Sequence, residues 1–191
     1  MRSEDRREQI VAQAVELMAS GGIQSVTLKN LAAAIGVSEP ALYRHFENKQ
    51  AILLGILDAF EAVSCAVLSH LDPSSAALGQ LRLFVFDRFA RFQASPSLGR
   101  LMFAEAAFEF DPQLSARLLQ IMHRHRDVLL RVIEEGQSRH ELRSDIAAKE
   151  LFRIVIGATR LIIQQWILSG QRFDLVSEGE SLWNALEQLL T

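Results

Sequence analysis

The sequence predicts an all-α fold, and three features indicate that class. Apolar residues recur three or four positions apart along most of the 191 residues, which places them on one face of a helix. Glycine, proline and small polar residues stand where such helices would begin and end. No segment alternates apolar and polar residues as a half-buried strand would, and no internal repeat is visible. We predict about nine helices.

The first three helices are defined by their end signals. Helix one ends at the glycine pair 21–22, and its apolar face comprises Ile10, Ala14, Leu17 and Met18. Thr27 is positioned as the N-cap of a short second helix that ends at Gly36. Ser38 would cap a third short helix, of about eight residues like the second, with Pro40 in its first turn, where a missing N–H costs little.

Six further helices are predicted after the first three. Asn48 is the predicted cap of the fourth, and Asp72-Pro73, Ser95-Pro96 and Asp111-Pro112 separate several of the others. The predicted ranges are 49–70, 75–94, 98–107, 112–135, 145–169 and 177–190.

Composition predicts a soluble cytoplasmic protein. Hydrophobic residues make up 49% and charged residues 23%, the balance of a globular chain. Cys65 is the only cysteine, so no intramolecular disulfide can form. The N-terminus is charged and lacks the apolar core of a signal peptide, and no uninterrupted apolar run approaches the roughly 18 residues of a membrane span. The formal charge of −3 argues against nucleic-acid binding by bulk charge alone.

The second and third helices have the layout of a helix-turn-helix unit, in which a tight glycine-containing turn joins two short helices. The second helix of such a unit lies in the major groove of DNA. Leu42 and Phe46 share one face and must point inward, towards Leu31 and Ile35. The residues left on the outer face are Ser38, Glu39, Pro40, Ala41, Tyr43, Arg44 and His45.

These residue types suit contact with DNA. Arg44 can make a bidentate contact to guanine, and Pro40 or Ala41 can pack on a thymine methyl group. Tyr43, the only tyrosine, offers a hydroxyl to a phosphate. Thr27 and Lys49 lie at helix N-termini, which favour anions. The predicted DNA-binding set is Thr27, Lys29, Ser38, Glu39, Pro40, Ala41, Tyr43, Arg44, His45 and Lys49. The alternative is a small helical bundle in which Tyr43 and Arg44 are plain surface residues.

The stretch TLKNLAAAIGVSEPALYRHFENK, residues 27–49, resembles the DNA-binding signature of TetR-family transcriptional regulators. The resemblance implies a dimeric, ligand-responsive repressor with a DNA-binding domain over 1–48 and an effector-binding and dimerisation domain over 49–191. It implies phosphate contacts from Thr27, Tyr43 and Lys49, and base contacts from the segment 38–45. Glu39 departs from the family, which often has a basic or neutral residue there, and its role stays open.

The last two helices predict a dimer interface. The helix over 145–169 is apolar on nearly every side, so it must be buried on two faces, and Gly157 with Ala158 would permit close approach of a partner. The last helix, over 177–190, carries a second apolar stripe. A four-helix interface across a two-fold axis would bury the apolar faces of both helices, as in TetR-like proteins. The predicted interface residues are Leu161, Trp166, Leu182, Trp183 and Leu186. A large monomeric core is the alternative.

Phenylalanine and methionine cluster between the two ends of the chain. In the TetR family this region encloses a pocket for a small, often lipophilic effector, and such side chains would suit an apolar or aromatic ligand. The predicted pocket residues are Phe84, Phe89, Met102, Phe103, Phe108, Met122, Thr159 and Arg160. Any single phenylalanine here is more often ordinary core packing than pocket lining.

Other chemistries lack a supporting pattern. His123 and His125 are two positions apart and point to different sides of a helix, so we predict no metal site and no cofactor. Cys65 is interpreted as a small core residue, because no basic neighbour within a turn other than His70 would activate its thiol. No phosphate-binding glycine loop or nucleophile elbow is present. We predict that the protein is not an enzyme.

The predicted function is a homodimeric repressor that a small effector releases from a palindromic operator, with its two helix-turn-helix units in successive major grooves about 34–36 Å apart. Two alternatives stay open at this point. One is a nucleoid-occlusion-type factor that binds DNA and acts on a cell-division partner. The other is a helical ligand carrier with a vestigial DNA-binding unit. Activation of transcription in place of repression also stays open.

Overall fold

The computed structural model describes residues 3–191, and that part of the chain is helical without strands. The nine α-helices are α1 (Ser3–Gly21), α2 (Leu28–Ile35), α3 (Glu39–Leu42), α4 (Lys49–Cys65), α5 (Ala77–Ala94), α6 (Pro96–Leu101), α7 (Pro112–Ser138), α8 (Ala148–Leu168) and α9 (Leu175–Leu190). Short 3-10 turns cover Ile23–Ser25, Ala66–His70 and Glu105–Ala107. The all-α prediction is confirmed.

Three elements differ from the prediction by more than a shift of their ends. The third helix contains only four residues, and the fourth changes to a 3-10 turn after Cys65. The segment expected at 98–107 separates into α6 and the turn Glu105–Ala107. In each case the apolar spacing continues past the point where the hydrogen bonding changes, so periodicity overestimates the length.

The chain divides into two compact units. The N-terminal unit comprises the described residues up to Val63 together with Arg100–Gln120, and the C-terminal unit comprises Ser64–Gly99 together with Ile121–Thr191. The core of the N-terminal unit is mainly aliphatic and contains three buried phenylalanine rings, Phe46, Phe60 and Phe108. Its fully or almost fully buried side chains include Ile10, Leu31, Leu42, Phe46, Ile52 and Ile56.

The C-terminal unit packs α5, α8 and α9 against one another. The α5 side chains Phe84, Phe89 and Phe92 are buried, and α9 approaches Phe89 closely at Gly179. A Cβ atom on Gly179 would lie 2.4 Å from Cδ2 of Phe89, so only glycine fits there without movement. The remaining core side chains of these helices include Leu151, Val155, Ile163, Trp166, Trp183 and Leu186.

Two helical segments, Lys49–His70 and Ala148–Leu168, are long and apolar enough to cross a membrane by length and composition alone. The sequence expectation concerned uninterrupted apolar runs, whereas both segments qualify on mean hydropathy over 18 residues with up to two charged residues. Core helices of water-soluble proteins pass the same test, and both segments contribute buried residues such as Ile52 and Val155. Their composition therefore fits a core role equally well.

Candidate nucleic-acid interface

Helix α2 begins and ends as its sequence predicts. The Thr27 side chain accepts a hydrogen bond from the Asn30 amide at 3.1 Å, which satisfies one of the free N–H groups of the first turn. Gly36 has a φ of 75°, and its N–H and that of Val37 both donate to the Ala32 carbonyl. This left-handed cap turns the chain sharply towards α3.

Helix α3 is a single turn followed by a tighter one. The Ser38 side chain makes no capping hydrogen bond, contrary to the sequence expectation. After Leu42 the amides of His45 and Phe46 both donate to the Leu42 carbonyl, at 2.9 and 3.0 Å. The first of these bonds has 3-10 spacing, which is common at helix ends. The segment from Glu39 to Phe46 is therefore a compact double turn and not one continuous helix.

The double turn is anchored on one side and displayed on the other. Leu42 and Phe46 are buried at 1% and 3% exposure, as predicted, against a unit whose Leu31 is fully buried; Ile35 is half-buried. All ten residues predicted to bind DNA keep accessible surface. Lys29, Ser38, Glu39, Pro40, Tyr43 and Arg44 are exposed, and Thr27, Ala41, His45 and Lys49 are half-buried.

Tyr43 is more exposed than is usual for a tyrosine. More than half of its surface, 53%, is accessible, although tyrosine rings are usually part-buried in soluble proteins. Arg44 is its exposed neighbour. An aromatic ring and a guanidinium displayed side by side on a short, well-anchored turn can contact sugar, phosphate and base edges together.

Two helix N-termini flank this surface. The Asn48 side-chain oxygen accepts from the Ala51 amide at 2.8 Å, and Lys49 opens α4, where its ammonium lies 3.4 Å from the Ile23 carbonyl. Thr27 opens α2, and its hydroxyl retains a proton to donate while it caps. Free N–H groups and the positive end of the helix dipole favour an anion at both places.

A cleft of about 200 Å³ lies beside the double turn. Its walls combine apolar side chains with two arginines and a histidine. The lining residues are Arg6, Ile10, Val37, Ala41, Leu42, Arg44 and His45. The cationic groups of α1 and of the double turn therefore share one surface depression.

Arg7 on α1 makes two contacts with the double turn that the sequence did not indicate. Its guanidinium donates a hydrogen bond to the His45 carbonyl and lies 4.3 Å from the centroid of the Phe46 ring. Arg7 and His45 are 38 positions apart, beyond the reach of any helical spacing rule. No local pattern could have found this pair.

The residues predicted to line an effector pocket fall in both compact units. Met102 and Phe108 are buried and Phe103 is half-buried in the N-terminal unit, whereas Phe84 and Phe89 are buried in the C-terminal unit. The Phe89 ring packs closely against Gly179. Met122 has 47% of its surface exposed on α7, so its side chain is not enclosed.

The two polar residues expected at the pocket, Thr159 and Arg160, differ in how deeply they are buried. Thr159 is fully buried, and its hydroxyl donates to the Val155 carbonyl at 2.7 Å. Arg160 is half-buried. Sequence reasoning missed Arg88, whose guanidinium lies 4.6 Å from the centroid of the Phe84 ring. The pKa of Arg88 is lowered to about 10, mainly by burial and also by the positive charge of Arg160, while Cys65 and Asp87 oppose the shift.

Cys65 contacts a histidine that is distant from it in the sequence. Its Sγ atom lies 3.6 Å from Nε2 of His125. The two ring nitrogens of His125 are each 2.9 Å from a backbone carbonyl, that of Ile121 and that of Ser64. Cys65 is buried, as expected, but the interpretation that no basic group approaches it considered only residues within one turn. Among the described residues no three potential ligands converge as a metal site would require.

The predicted dimer residues separate into two groups. Trp166, Trp183 and Leu186 are buried in the core of their own unit, at 2–3% exposure, so they offer almost no surface to a partner. Leu161 is 55% exposed and Leu182 is half-buried. The exposed apolar stripe on α8 consists of Ile154, Leu161 and Leu168, spaced by seven residues, and Leu189 extends the surface of Leu182 on α9.

Two family models match the chain. The family described as "Bacterial regulatory proteins, tetR family" matches residues 10–56, which include the whole helix-turn-helix surface. The family described as "YsiA-like protein, C-terminal region" matches residues 65–188, well over half of the chain. The chain is a TetR-family transcriptional regulator. It is a DNA-binding protein and not an enzyme. Proteins of this family bind DNA, often bind ligands and form dimers.

Curated relatives cover almost the full chain. The nucleoid occlusion factor SlmA of Photobacterium profundum is 26% identical over 188 residues, which are 97% of this chain and 96% of the relative. The SlmA of Sodalis glossinidius is 28% identical and covers 95% of this chain and 93% of its own.

Solved structures share the fold. FadR from Bacillus subtilis, in complex with stearoyl-CoA, superposes with a TM-score of 0.79 at 20% identity and covers 95% of this chain and 96% of its own. The ketosteroid regulator KstR2 of Mycobacterium tuberculosis superposes with a TM-score of 0.77 at 16% identity, over 97% and 95%. At these identities the likeness establishes the fold alone.

Proposed function

We propose that this TetR-family regulator is a repressor that binds a palindromic operator as a homodimer and releases it when a small lipophilic effector binds. The carrying observation is the double turn from Glu39 to Phe46, which is anchored by two buried side chains and presents Tyr43 and Arg44 outward. In this proposal Arg44 and the small residues Pro40 and Ala41 contact base edges. Glu39 contacts a cytosine amino group or pairs with a neighbour.

Phosphate contacts fix the register of this surface on the duplex. We assign them to Tyr43, to Lys29 on the exposed side of α2, and to the helix N-termini at Thr27 and Lys49. With a net charge of −3, the protein depends on such placed groups, because the chain as a whole repels DNA. The DNA-binding domain is residues 1–48 in this proposal, and residues 49–191 bind the effector and form the dimer in the cytoplasm.

The proposed dimer interface is the exposed stripe of α8 and the adjoining face of α9. Ile154, Leu161 and Leu168 are accessible although they are large and apolar, and exposed apolar side chains aligned along one helix face favour an interaction surface. Gly157 lies on the exposed side of the same helix with nothing within 4 Å of a Cβ position, which permits close helix approach. A two-fold axis would join the two copies of this surface.

The proposed effector is an apolar or amphipathic molecule. The buried rings Phe84 and Phe92 of the C-terminal unit flank the guanidinium of Arg88, which could contact an anionic end of such a molecule. The FadR that resembles this chain was crystallised with stearoyl-CoA, and KstR2 is a ketosteroid transcriptional regulator; stearoyl-CoA and ketosteroids are both lipophilic. We therefore take long-chain acyl-CoA as the first effector class to test.

Release from DNA tests this effector proposal. Protein refolded from denaturant, and so freed of copurified ligand, is bound to a fluorescent duplex that it selects from random DNA. Stearoyl-CoA, free stearate and coenzyme A are then titrated separately. We expect stearoyl-CoA to weaken binding by about 5–150-fold, the range of ordinary allosteric coupling, and coenzyme A to have no effect. Equal effects of all three would indicate competition by charge and contradict a lipophilic pocket.

A second candidate function is nucleoid occlusion, favoured by the full-length curated relatives named SlmA. That protein type binds DNA at many places and acts on a cell-division partner. Mapping the binding sites of the protein across its host chromosome distinguishes the two. A few sites upstream of genes support the repressor, whereas many sites scattered within and between genes support nucleoid occlusion.

A further inference from the structure

The recognition segment has little stability of its own. Helix α3 contains four residues, and a helix this short lacks the cooperative hydrogen bonding that stabilises longer ones. Its last carbonyl groups have no partner within the helix. Yet Tyr43 and Arg44, at its end, must be held at a defined angle to contact DNA, because a mobile contact surface costs affinity when it is ordered on binding.

Arg7 supplies what the segment lacks. Its guanidinium donates to the carbonyl of His45, directly after the two displayed residues and three positions past the end of α3, and so ties the end of the segment to α1. The same guanidinium lies 4.3 Å from the centroid of Phe46, the buried anchor of the segment. One side chain of α1 therefore holds both the backbone and the anchor of the double turn.

We propose that Arg7 is a positioning residue for DNA recognition: it fixes the C-terminal end of the recognition segment and so sets the orientation of Tyr43 and Arg44, without contacting DNA. The planar fork of arginine serves both tasks, since it donates along its edge and stacks with its face. Lysine could supply the charge and one donor but not the stacked plane. The inference rests on the proposed placement of residues 38–45 against DNA.

The affinity test compares Arg7→Gln and Arg7→Lys with the wild-type protein on the duplex that the wild type selects, over a series of salt concentrations. Loss of a positioning contact lowers affinity and leaves the slope of log K against log salt unchanged. Loss of a phosphate contact flattens that slope by about 0.9. We expect Arg7→Gln to bind about tenfold more weakly, as for one lost charge-assisted hydrogen bond, and Arg7→Lys to fall between it and wild type.

Two variants serve as controls. Lys49→Ala removes a proposed phosphate contact and should flatten the slope. Arg172→Gln removes an exposed arginine in the C-terminal unit and should change neither affinity nor slope. A wild-type protein that selects no duplex would contradict the proposed function itself. Wild-type selection with full affinity in Arg7→Gln would overturn only the role of Arg7, as would a slope flattened by about 0.9.

A spectroscopic readout separates positioning from general stability. Tyr43 is the only tyrosine, so protein labelled with 3-fluorotyrosine gives one ¹⁹F resonance, from the recognition segment. In the absence of DNA we expect this resonance to shift or broaden in Arg7→Gln while the circular dichroism and melting temperature stay close to wild type. An unchanged resonance would overturn the proposal. If Arg7→Gln does not fold, Arg7→Lys carries the test, and a wild-type resonance and affinity in that variant would contradict the need for the arginine fork.

Discussion

The two helices of the helix-turn-helix unit are short. Helix α2 contains eight residues, and α3, which leads directly into Tyr43 and Arg44, contains four. The helices that form the core of the C-terminal unit, α5, α8 and α9, contain 18, 21 and 16 residues. The first region is held by local hydrogen bonds at Thr27 and Gly36, by its two buried anchor side chains, and by the contacts of Arg7 with His45 and Phe46. The second is held by buried rings packed against neighbouring helices.

This difference explains why the two regions carry different information. A backbone fixed by caps and a left-handed glycine needs particular residues at particular places, so the helix-turn-helix unit has a recognisable sequence. A core of large apolar side chains tolerates many combinations of similar volume. Residues 65–188 match a family model, but no short motif within them indicated the family from the sequence. Packing defects should therefore cost most in the C-terminal unit, and backbone strain in the N-terminal one.

The largest predicted effect is at Gly179. In Gly179→Ala the new Cβ would lie 2.4 Å from Cδ2 of Phe89, and overpacking of this kind costs about 1–3 kcal/mol in the free energy of unfolding. Gly79→Ala is the matched control, because nothing lies within 4 Å of its Cβ position on α5; it should stabilise by roughly 0.5–1 kcal/mol. Urea denaturation measures both. Equal stabilities would show that Phe89 can move aside.

The next effect concerns the exposed stripe of α8. Leu161→Asp places a charge on the proposed dimer interface, where its desolvation is unfavourable, and we expect the dimer dissociation constant to rise by about tenfold or more. Leu83→Asp alters a comparably exposed leucine on α5, at 44% against 55%, and should leave the constant unchanged. Sedimentation equilibrium measures the constant. Identical values for both variants would place the interface elsewhere.

Gly36 tests the local control of the recognition unit. Its φ of 75° costs other residues roughly 1–2 kcal/mol, and its Cβ position is unobstructed. Gly36→Ala should therefore destabilise the fold by about 1 kcal/mol through backbone strain alone. Asn tolerates this conformation better, so Gly36→Asn should be milder. Thermal unfolding measures both, and a larger loss in the asparagine variant would contradict the account.

The smallest effect is the pH dependence contributed by Asp174, the N-cap of α9. Hydrogen bonds from the Ser177 amide and then from Gln93 lower the pKa of this carboxyl below its ordinary value of 3.8. Its contribution is therefore complete above that value and is lost as the pH falls through the lowered folded pKa. Asp174→Asn keeps a capping oxygen without the charge. We expect its melting temperature to fall less steeply below pH 4 than that of wild type; parallel curves would contradict this assignment.

The sequence predicted what depends on neighbouring residues. Thr27, Gly36 and Asn48 act as expected, because caps and left-handed turns are decided within about four positions. The length of α3 was overestimated, since no spacing rule reveals that the amide of His45 bonds three and not four residues back.

Contacts between distant segments were beyond sequence reasoning. Arg7 meets His45, and His125 meets Cys65, across 38 and 60 positions. The apolar stripes of α8 and α9 were recognised, but a stripe does not tell which residues face the core of their own unit. Trp166 and Trp183 are buried there, while Leu161 and Leu168 are left exposed.

Selection from random duplex DNA tests the central claim most directly, with wild type and the Tyr43→Ala, Arg44→Ala double variant in parallel. The two residues are exposed, so their removal leaves the buried anchors Leu42 and Phe46 in place. We predict that the wild type enriches a palindrome whose half-sites are one helical turn apart and that the variant enriches none. Enrichment of the same palindrome by both proteins would contradict the assignment of DNA recognition to this surface.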